Sequence, residues 1–521
     1  MDPAARTLPG LLERAARSFP DRIAAVEGTT RLSFAELLAQ VHRMANLLHA
    51  RGIRRGDRVA LMMPPSVPHL IAYFGTALLG AIPVAFHVRE SEPTLRRIAD
   101  SIMPRLLVYD VAYQAKAEAL LADAPQIAGR VRAVSTLAAD PGGAPDAPLI
   151  PRDLALYPAD HDRIALSPDD IATIVLSSGT TGLPKGVIHT HGSVTGGVEQ
   201  GAEYMGHGPE AATINIFTTA FVGWLNCTLP QLHAGSKIVY LPKWDPAEYL
   251  RTIATERITC FILVPTMWRM LLAAGPEAHD LSSVTRVGFA GEAIDAETMR
   301  AIRARVCDRV MNTYGTTETG PWGGCTIMLP EDYARGGDLR SIGRAAFGVG
   351  IRVIAPGGAV DDVLSPGTEG ELILRGPSLA AQIWDRPELT RKVFDNGWWR
   401  SGDLATMDAD GYITLSGRVD DMIISGGINI MPGQIEDLLL THASVRECAV
   451  AGVPSADWGQ EITAFVIAQG RPDEAALRAH LTASDLSHYK HPRRYVFLDD
   501  LPKGHTGKIN RKALKESLAK V

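Results

Sequence analysis

Ile174-Val175-Leu176-Ser177-Ser178-Gly179-Thr180-Thr181-Gly182-Leu183-Pro184-Lys185-Gly186-Val187 reads as an apolar strand running into a loop of Gly, Ser and Thr with a single lysine. Such a loop is suited to wrapping an anion. Its glycines let backbone N–H groups converge on phosphate oxygens, the hydroxyls of Ser178, Thr180 and Thr181 add donors, and Lys185 supplies charge. A Walker A loop would have Gly just before the Lys and Ser or Thr just after it, whereas Pro184 and Gly186 stand there. Taken alone, the same composition also reads as a surface turn.

Outward from this stretch, helix and strand patterns alternate. Ser33 and Glu36 have capping-box spacing, and apolar residues recur with helical period over 34–48. A short strand reads at 58–63, a helix at 70–79 and a strand at 82–86; the alternation resumes over 171–314. Repeated helix then strand implies an α/β fold, with mixed sheets and helices in a large N-terminal part. Pro141, Pro145, Pro148, Pro151 and Pro158 forbid a long regular element, so 140–162 is a surface connection. Gly, Pro and β-branched residues over 341–415 indicate a more antiparallel unit. The last hundred or so residues form a small α+β module, with a strand at 422–424, a helix at 432–440 and strands at 449–453 and 463–468.

At 521 residues with 46% hydrophobic and 21% charged, the chain buries a large core and divides into at least two domains. A net charge of -6 gives no global attraction to nucleic acid or an anionic membrane, so any bound anion is held locally. Cys227, Cys260, Cys307, Cys325 and Cys448 are scattered without metal-ligand spacing, which fits a cytoplasmic protein with neither a zinc site nor a disulfide framework. The uncharged stretch 70–86 contains Gly75, Gly80 and Pro83 between polar flanks and reads as a buried helix and strand, not as an integral membrane span.

The loop string resembles the signature of the ANL superfamily of adenylate-forming enzymes, and further segments resemble its other signatures in chain order. These are Tyr314-Gly315-Thr316-Thr317-Glu318, the stretch from Gly370 to Pro377, Ser401-Gly402-Asp403, the stretch Gly417-Arg418-Val419-Asp420, Gly426-Gly427 with Pro432 to Glu436, and Pro502 to Ile509 with Lys508. The resemblance spans 174–512. It implies a large domain over 1–419 that binds ATP and the acid, and a small mobile lid domain over 420–521 with its hinge at Asp420.

By resemblance, Ser177, Ser178, Gly179, Thr181 and Gly182 surround the phosphates, with Lys185 on the departing pyrophosphate. Thr180 and Glu318 hold Mg²⁺, an ion that takes hard oxygen ligands. Gly291, Glu292, Tyr314, Gly315, Thr316 and Thr317 lie along the nucleotide, Asp403 grips the ribose, Arg418 touches the nucleotide, and Lys508 bridges carboxylate and α-phosphate. Gly426 and Gly427 line a tunnel for the thiol.

The implied activity is an AMP-forming acid:CoA ligase with ATP, Mg²⁺ and CoA. The alternatives are an acid–AMP ligase that loads the phosphopantetheine of a carrier protein, a non-catalytic nucleotide-binding regulator, and a luciferase-type oxygenase. Phe221, Val222, Trp224, Ala290 and Trp322 are candidate walls of the acyl pocket. Residues 217–226 contain no acidic side chain to pair a substrate ammonium, which argues against an amino acid. Ala290-Gly291-Glu292 resembles benzoate-type ligases, so the expected acid is aromatic, cyclic or medium-chain. Phe221 stands where a His is frequent in acyl- and aryl-CoA synthetases, and Gln434 replaces the Glu usual in relatives. A monomer or dimer is expected.

Overall fold

The computed structural model describes residues 6–138, 149–162, 164–177, 184–425, 428–430, 432–455, 457–470, 473–484, 486–503 and 509–518. The chain divides into two compact units, Met1–Ile351 with Leu374–Trp399, and Arg352–Ile373 with Arg400–Val521.

In the first unit a five-stranded parallel sheet has the order Ile82–Ala85, Arg58–Met62, Leu106–Asp110, Gly129–Ala133, Leu149–Ile150. Parallel neighbours need crossovers, here the helices Val67–Leu78, Glu92–Ile102 and Gln114–Asp123. Both faces are covered, and the strand sequences show it with period two. Val59, Leu61 and Val108 enter one core, whereas Ala60, Met62, Leu107 and Tyr109 enter the other. The capping box of Ser33 and Glu36 is present and starts the helix Phe34–Ala50. The uncharged 70–86 stretch is a fully buried helix and strand, and no described helix is long and apolar enough to cross a membrane.

A second sheet sets Ala212–Asn215, Lys237–Tyr240 and Ile23–Glu27 parallel, with Thr30–Ser33 antiparallel at its edge. Cys260–Leu263, Arg286–Ala290 and Val310–Tyr314 run parallel and are followed by antiparallel Thr326–Met328 and Ser341–Ala345. Ile171–Ser177 and Lys185–Thr190 form an antiparallel hairpin extended by Gln382–Ile383.

In the second unit the strand Trp398–Met407, from Arg400 onward, pairs antiparallel with Ile413–Arg418, joined from Asp403↔Arg418 to Met407↔Ile413. Its C-terminal sheet has the order Ile428–Ile430, Ile423–Ser425, Gly459–Ala468, Val445–Ser455, and Arg494–Phe497 lies parallel to Gly459–Ala468. Alternating residues again face two cores. Cys448, Val450, Ile462, Ala464 and Val466 enter one, and Ala449, Ala451, Phe465 and Ile467 the other.

Candidate active site

The anion loop joins two hairpin strands whose last register pair is Ser177↔Lys185, so the serine that opens the loop and the lysine that leaves it stand opposite one another. Ser178, Gly179, Thr180, Thr181 and Gly182 lie outside the described residues. The hairpin is anchored by burial of Ile174, Leu176 and Ile188 in one core and Ala172 and Val175 in another. Gly186 is required by a close approach. A Cβ there would lie 2.8 Å from Ile174 Cγ2 and 3.0 Å from Trp384 Cβ. The Trp384 N–H donates to its carbonyl at 2.7 Å, which locks the lysine's end of the hairpin to the chain beyond Ile383.

The strands Arg286–Ala290 and Val310–Tyr314 are parallel neighbours with Ala290 opposite Thr313. Their carboxyl ends therefore release Ala290-Gly291-Glu292 and Tyr314-Gly315-Thr316-Thr317-Glu318 side by side, at the edge where open α/β sheets bind ligands. Gly291 turns with φ +87°, a conformation open to glycine.

The loop after Tyr314 is fixed at several points. Thr319 Oγ1 accepts from Thr316 N–H at 2.9 Å and donates to the Thr316 carbonyl at 3.0 Å. Ala380 N–H donates to the Glu318 carbonyl at 2.9 Å. His189 Nε2 lies 2.8 Å from the Thr317 carbonyl, which can only accept, so Nε2 carries the proton. Glu318 itself is half-buried, and no side chain among the described residues pairs with its carboxylate. Among the described residues no three His, Cys, Asp or Glu side chains gather into a metal cage. A single carboxylate suits Mg²⁺ carried on a triphosphate, because that ion keeps waters and phosphate oxygens and takes only one or two protein carboxylates.

The acyl-pocket candidates fall into two groups. Phe221 and Val222 are half-buried, at the start of the helix Val222–Asn226. Phe221 lies 5.3 Å, centroid to centroid, from the His87 ring and helps line a cavity of about 10 Å³, the size of one water, with Tyr73, Thr173 and Thr219. Ala290 is half-buried at its strand end. Trp224, in contrast, is fully buried, edge-on to His69 at 4.7 Å and beside Tyr73 at 5.1 Å. Trp322 is also buried, at a left-handed φ of 58°, and its indole N–H donates to the Asn226 carbonyl at 3.1 Å. A Cβ on Gly201 would lie 2.6 Å from the Trp322 ring, so the helix Val198–Met205 yields a side chain there to seat it.

In the second unit Asp403 and Arg418 are cross-strand partners joined by a 2.6 Å ion pair. Gly402, at φ +66°, leaves room for the guanidinium, since a Cβ would come within 3.3 Å of Arg418 Nη2. Two residues assigned to the nucleotide from separate segments are thus neighbours. Asp420 is exposed in the short 3₁₀ turn Val419–Asp421. Gly426, Gly427 and Lys508 lie outside the described residues; the flanking pairs Ser425↔Ile428 and Lys503↔Ile509 are present. Gln434 accepts from Lys490 Nζ at 2.8 Å.

His189 escaped the sequence reading. It lies two residues beyond Val187 on a buried strand, and an imidazole among β-branched residues carries no signal of a partner 128 residues away.

A hydroxyl and glycine hairpin loop closed by lysine, with a carboxylate-bearing loop at the carboxyl end of a parallel strand, defines the class of adenylate-forming α/β enzymes. Residues 12–384 match the family model of AMP-binding enzymes and residues 434–508 that of the AMP-binding enzyme C-terminal domain. The chain belongs to this family, the ANL superfamily of adenylate-forming enzymes. It is 34% identical to a feruloyl-CoA synthase of Amycolatopsis sp over 508 residues, 95% of this chain and 96% of that one. It is 31% identical to a long-chain-fatty-acid–CoA ligase of Mycobacterium tuberculosis, with 97% of each chain covered. ATP-bound MatB from Rhodopseudomonas palustris superposes with a TM-score of 0.84 at 28% identity, covering 98% of each chain.

Proposed function

We propose that the protein is an AMP-forming acid:CoA ligase acting on an aromatic, cyclic or medium-chain carboxylic acid that lacks an ammonium group. The observation that carries this reading is the Glu318 carboxylate, held on a pinned loop without a side-chain partner among the described residues, in a chain whose likeness to acid:CoA ligases extends over nearly its whole length.

A carboxylate is a poor acyl donor, because its own oxygen would have to leave as oxide. ATP with its magnesium ion supplies an electrophilic α-phosphorus and a pyrophosphate leaving group. In this proposal Lys185 and the 178–182 amides neutralise the leaving pyrophosphate, Glu318 and Thr180 hold the ion, and Tyr314 stacks on adenine. Asp403 accepts from the ribose hydroxyls and Arg418 orients that carboxylate. Gly291, Glu292, Gly315, Thr316 and Thr317 flank the nucleotide, and Lys508 spans the two reacting anions.

The acid oxygen bonds to the α-phosphorus as the bond to pyrophosphate breaks. The lid, residues 420–521, then turns about Asp420, Lys508 withdraws, and the Gly426-Gly427 segment admits the thiol. Its sulfur bonds to the acyl carbon, the thiol proton passes to solvent and AMP leaves. Absence of an acidic residue at 217–226 supports an acid without an amine, and Ala290-Gly291-Glu292 supports an aromatic or cyclic one.

The test is pyrophosphate release over a panel of carboxylates, with and without CoA or a carrier protein. The expected result is acid-dependent release accelerated by CoA with formation of the thioester. No release with any acid, or acceleration by a carrier protein and not by CoA, would sink the proposal.

A further inference from the structure

His189 stands four residues beyond Lys185 on the strand Lys185–Thr190, about 13 Å along it. The imidazole crosses to the other wall of the site, where Nε2 donates to the Thr317 carbonyl at 2.8 Å. The next carbonyl, that of Glu318, is taken by Ala380 N–H at 2.9 Å. Two consecutive peptide groups are thus held by different partners, which fixes the dihedrals on both sides of the Glu318 Cα and hence the direction in which its carboxylate leaves the chain. The ring itself has no freedom to turn. Nδ1 lies 3.3 Å from Ser193 Oγ, the residue is fully buried, and a Cβ on Gly320 would lie 2.9 Å from its Cε1, so glycine there makes room for it. Burial also pushes its pKa down to about 4, so it stays a neutral donor with one tautomer at working pH.

We propose that His189 is a positioning residue that ties the strand leaving the phosphate loop to the Thr317-Glu318 peptide, setting the distance between the Lys185 charge and the Glu318 carboxylate across one Mg²⁺–triphosphate. The proposal rests on the ligase reading for what Glu318 binds, and on the hydrogen bond alone for what His189 holds. It assigns a role to a side chain that touches neither substrate nor metal. Leucine would fill the space and leave the carbonyl without its donor, whereas glutamine carries an N–H at comparable reach.

Both variants, His189→Leu and His189→Gln, are compared with the parent full-length protein by acid-dependent ATP–pyrophosphate exchange at varied Mg²⁺ and by hydrogen–deuterium exchange of the peptide spanning 314–320. Expected for His189→Leu is a fall in kcat of about tenfold or more with a several-fold higher half-saturating Mg²⁺, and faster amide exchange in that peptide; His189→Gln should return to within about threefold of the parent. Equal losses in both variants, or a His189→Leu protein that matches the parent in Mg²⁺ dependence and exchange, would overturn the proposal. If the parent itself shows no pyrophosphate exchange with any acid, the ligase reading fails, and the amide-exchange comparison still decides whether His189 holds the loop.

Discussion

In the proposed reaction Lys508 spans the carboxylate and the α-phosphate, where two anions meet, whereas Lys185 acts on the leaving group. A preorganised cation at a reacting centre stabilises developing charge that is absent in the ground state. Lys508→Ala is therefore expected to raise the adenylation barrier by about 3–4 kcal/mol. Thioester formation from presupplied acyl-adenylate should stay near the parental rate, because in the proposed cycle the lid carries the residue away before that step. Single-turnover assays of each half-reaction check this, and equal losses in both would argue against the assignment. Glu318 makes a different demand. Glu318→Gln keeps the shape of the side chain and one oxygen ligand but removes the charge, so the expected signature is a higher Mg²⁺ requirement for pyrophosphate exchange, measured by titration at saturating ATP, with the parental fold retained.

Among the elements of the C-terminal module, the helix Pro432–Leu440 is secured by Glu436. That carboxylate accepts two bonds from the Arg511 guanidinium, at 2.7 and 2.8 Å, and one from the Val450 N–H at 2.6 Å, joining the helix to the strand Val445–Ser455 and to the helix Arg511–Leu518. Arg511 also reaches Asp421 at 3.2 Å. Removing Glu436 leaves Arg511 only its longer contact to Asp421 and takes the acceptor from Val450 N–H, so Glu436→Ala is expected to cost about 1–3 kcal/mol locally. Hydrogen exchange of the helix Arg511–Leu518 checks it; unchanged protection would refute the estimate. The sequence disclosed that helix residue for residue, because Pro432 sits at its first turn, where the missing N–H is no loss. The neighbouring strands were read as 449–453 and 463–468 but extend to Val445–Ser455 and Gly459–Ala468. Their added residues include Glu447, Gln460 and Glu461, polar positions that join the ladder opposite Ile467, Pro454 and Val453 on the facing strand. Trp224 and Trp322 show the other limit. An aromatic residue near a pocket signature reads as a wall, whereas Trp224 is buried against His69 and Tyr73, and Trp322 against Gly201 and the Asn226 carbonyl, partners far along the chain.

Across the whole molecule the buried histidines set how stability depends on pH. Burial pushes His69 and His207 down to about 3, and His189 and His191 down to about 4, from an ordinary value of 6.5. Each has a structural reason to stay neutral. His191 Nδ1 accepts from Leu8 N–H at 3.2 Å and seats the N-terminal helix Leu8–Ser18, and His207 is wedged between Cys260 Sγ at 3.3 Å and Gln231 Nε2 at 2.8 Å. Neither ring nitrogen of His69 has a hydrogen-bond partner among the described residues. All four shifts are downward, so the unfolded chain gains protons near pH 6.5 that the native chain refuses until pH 4 or below. The stabilising difference is complete above 6.5 and is lost as pH falls, at up to about 1.4 kcal/mol per pH unit for each histidine. Glu27 and Asp110 act in the opposite sense, since burial raises both and the native chain then takes up protons before the unfolded one. Two carboxyls with raised values offset only part of four histidines with large shifts. Denaturant midpoints should therefore fall steadily from pH 7 to pH 5. His69→Phe keeps the edge packing against Trp224 while removing one titrating group, so it should flatten that slope by about one proton. A midpoint that is flat or rising over this range, or a His69→Phe slope equal to the parent's, would contradict the argument.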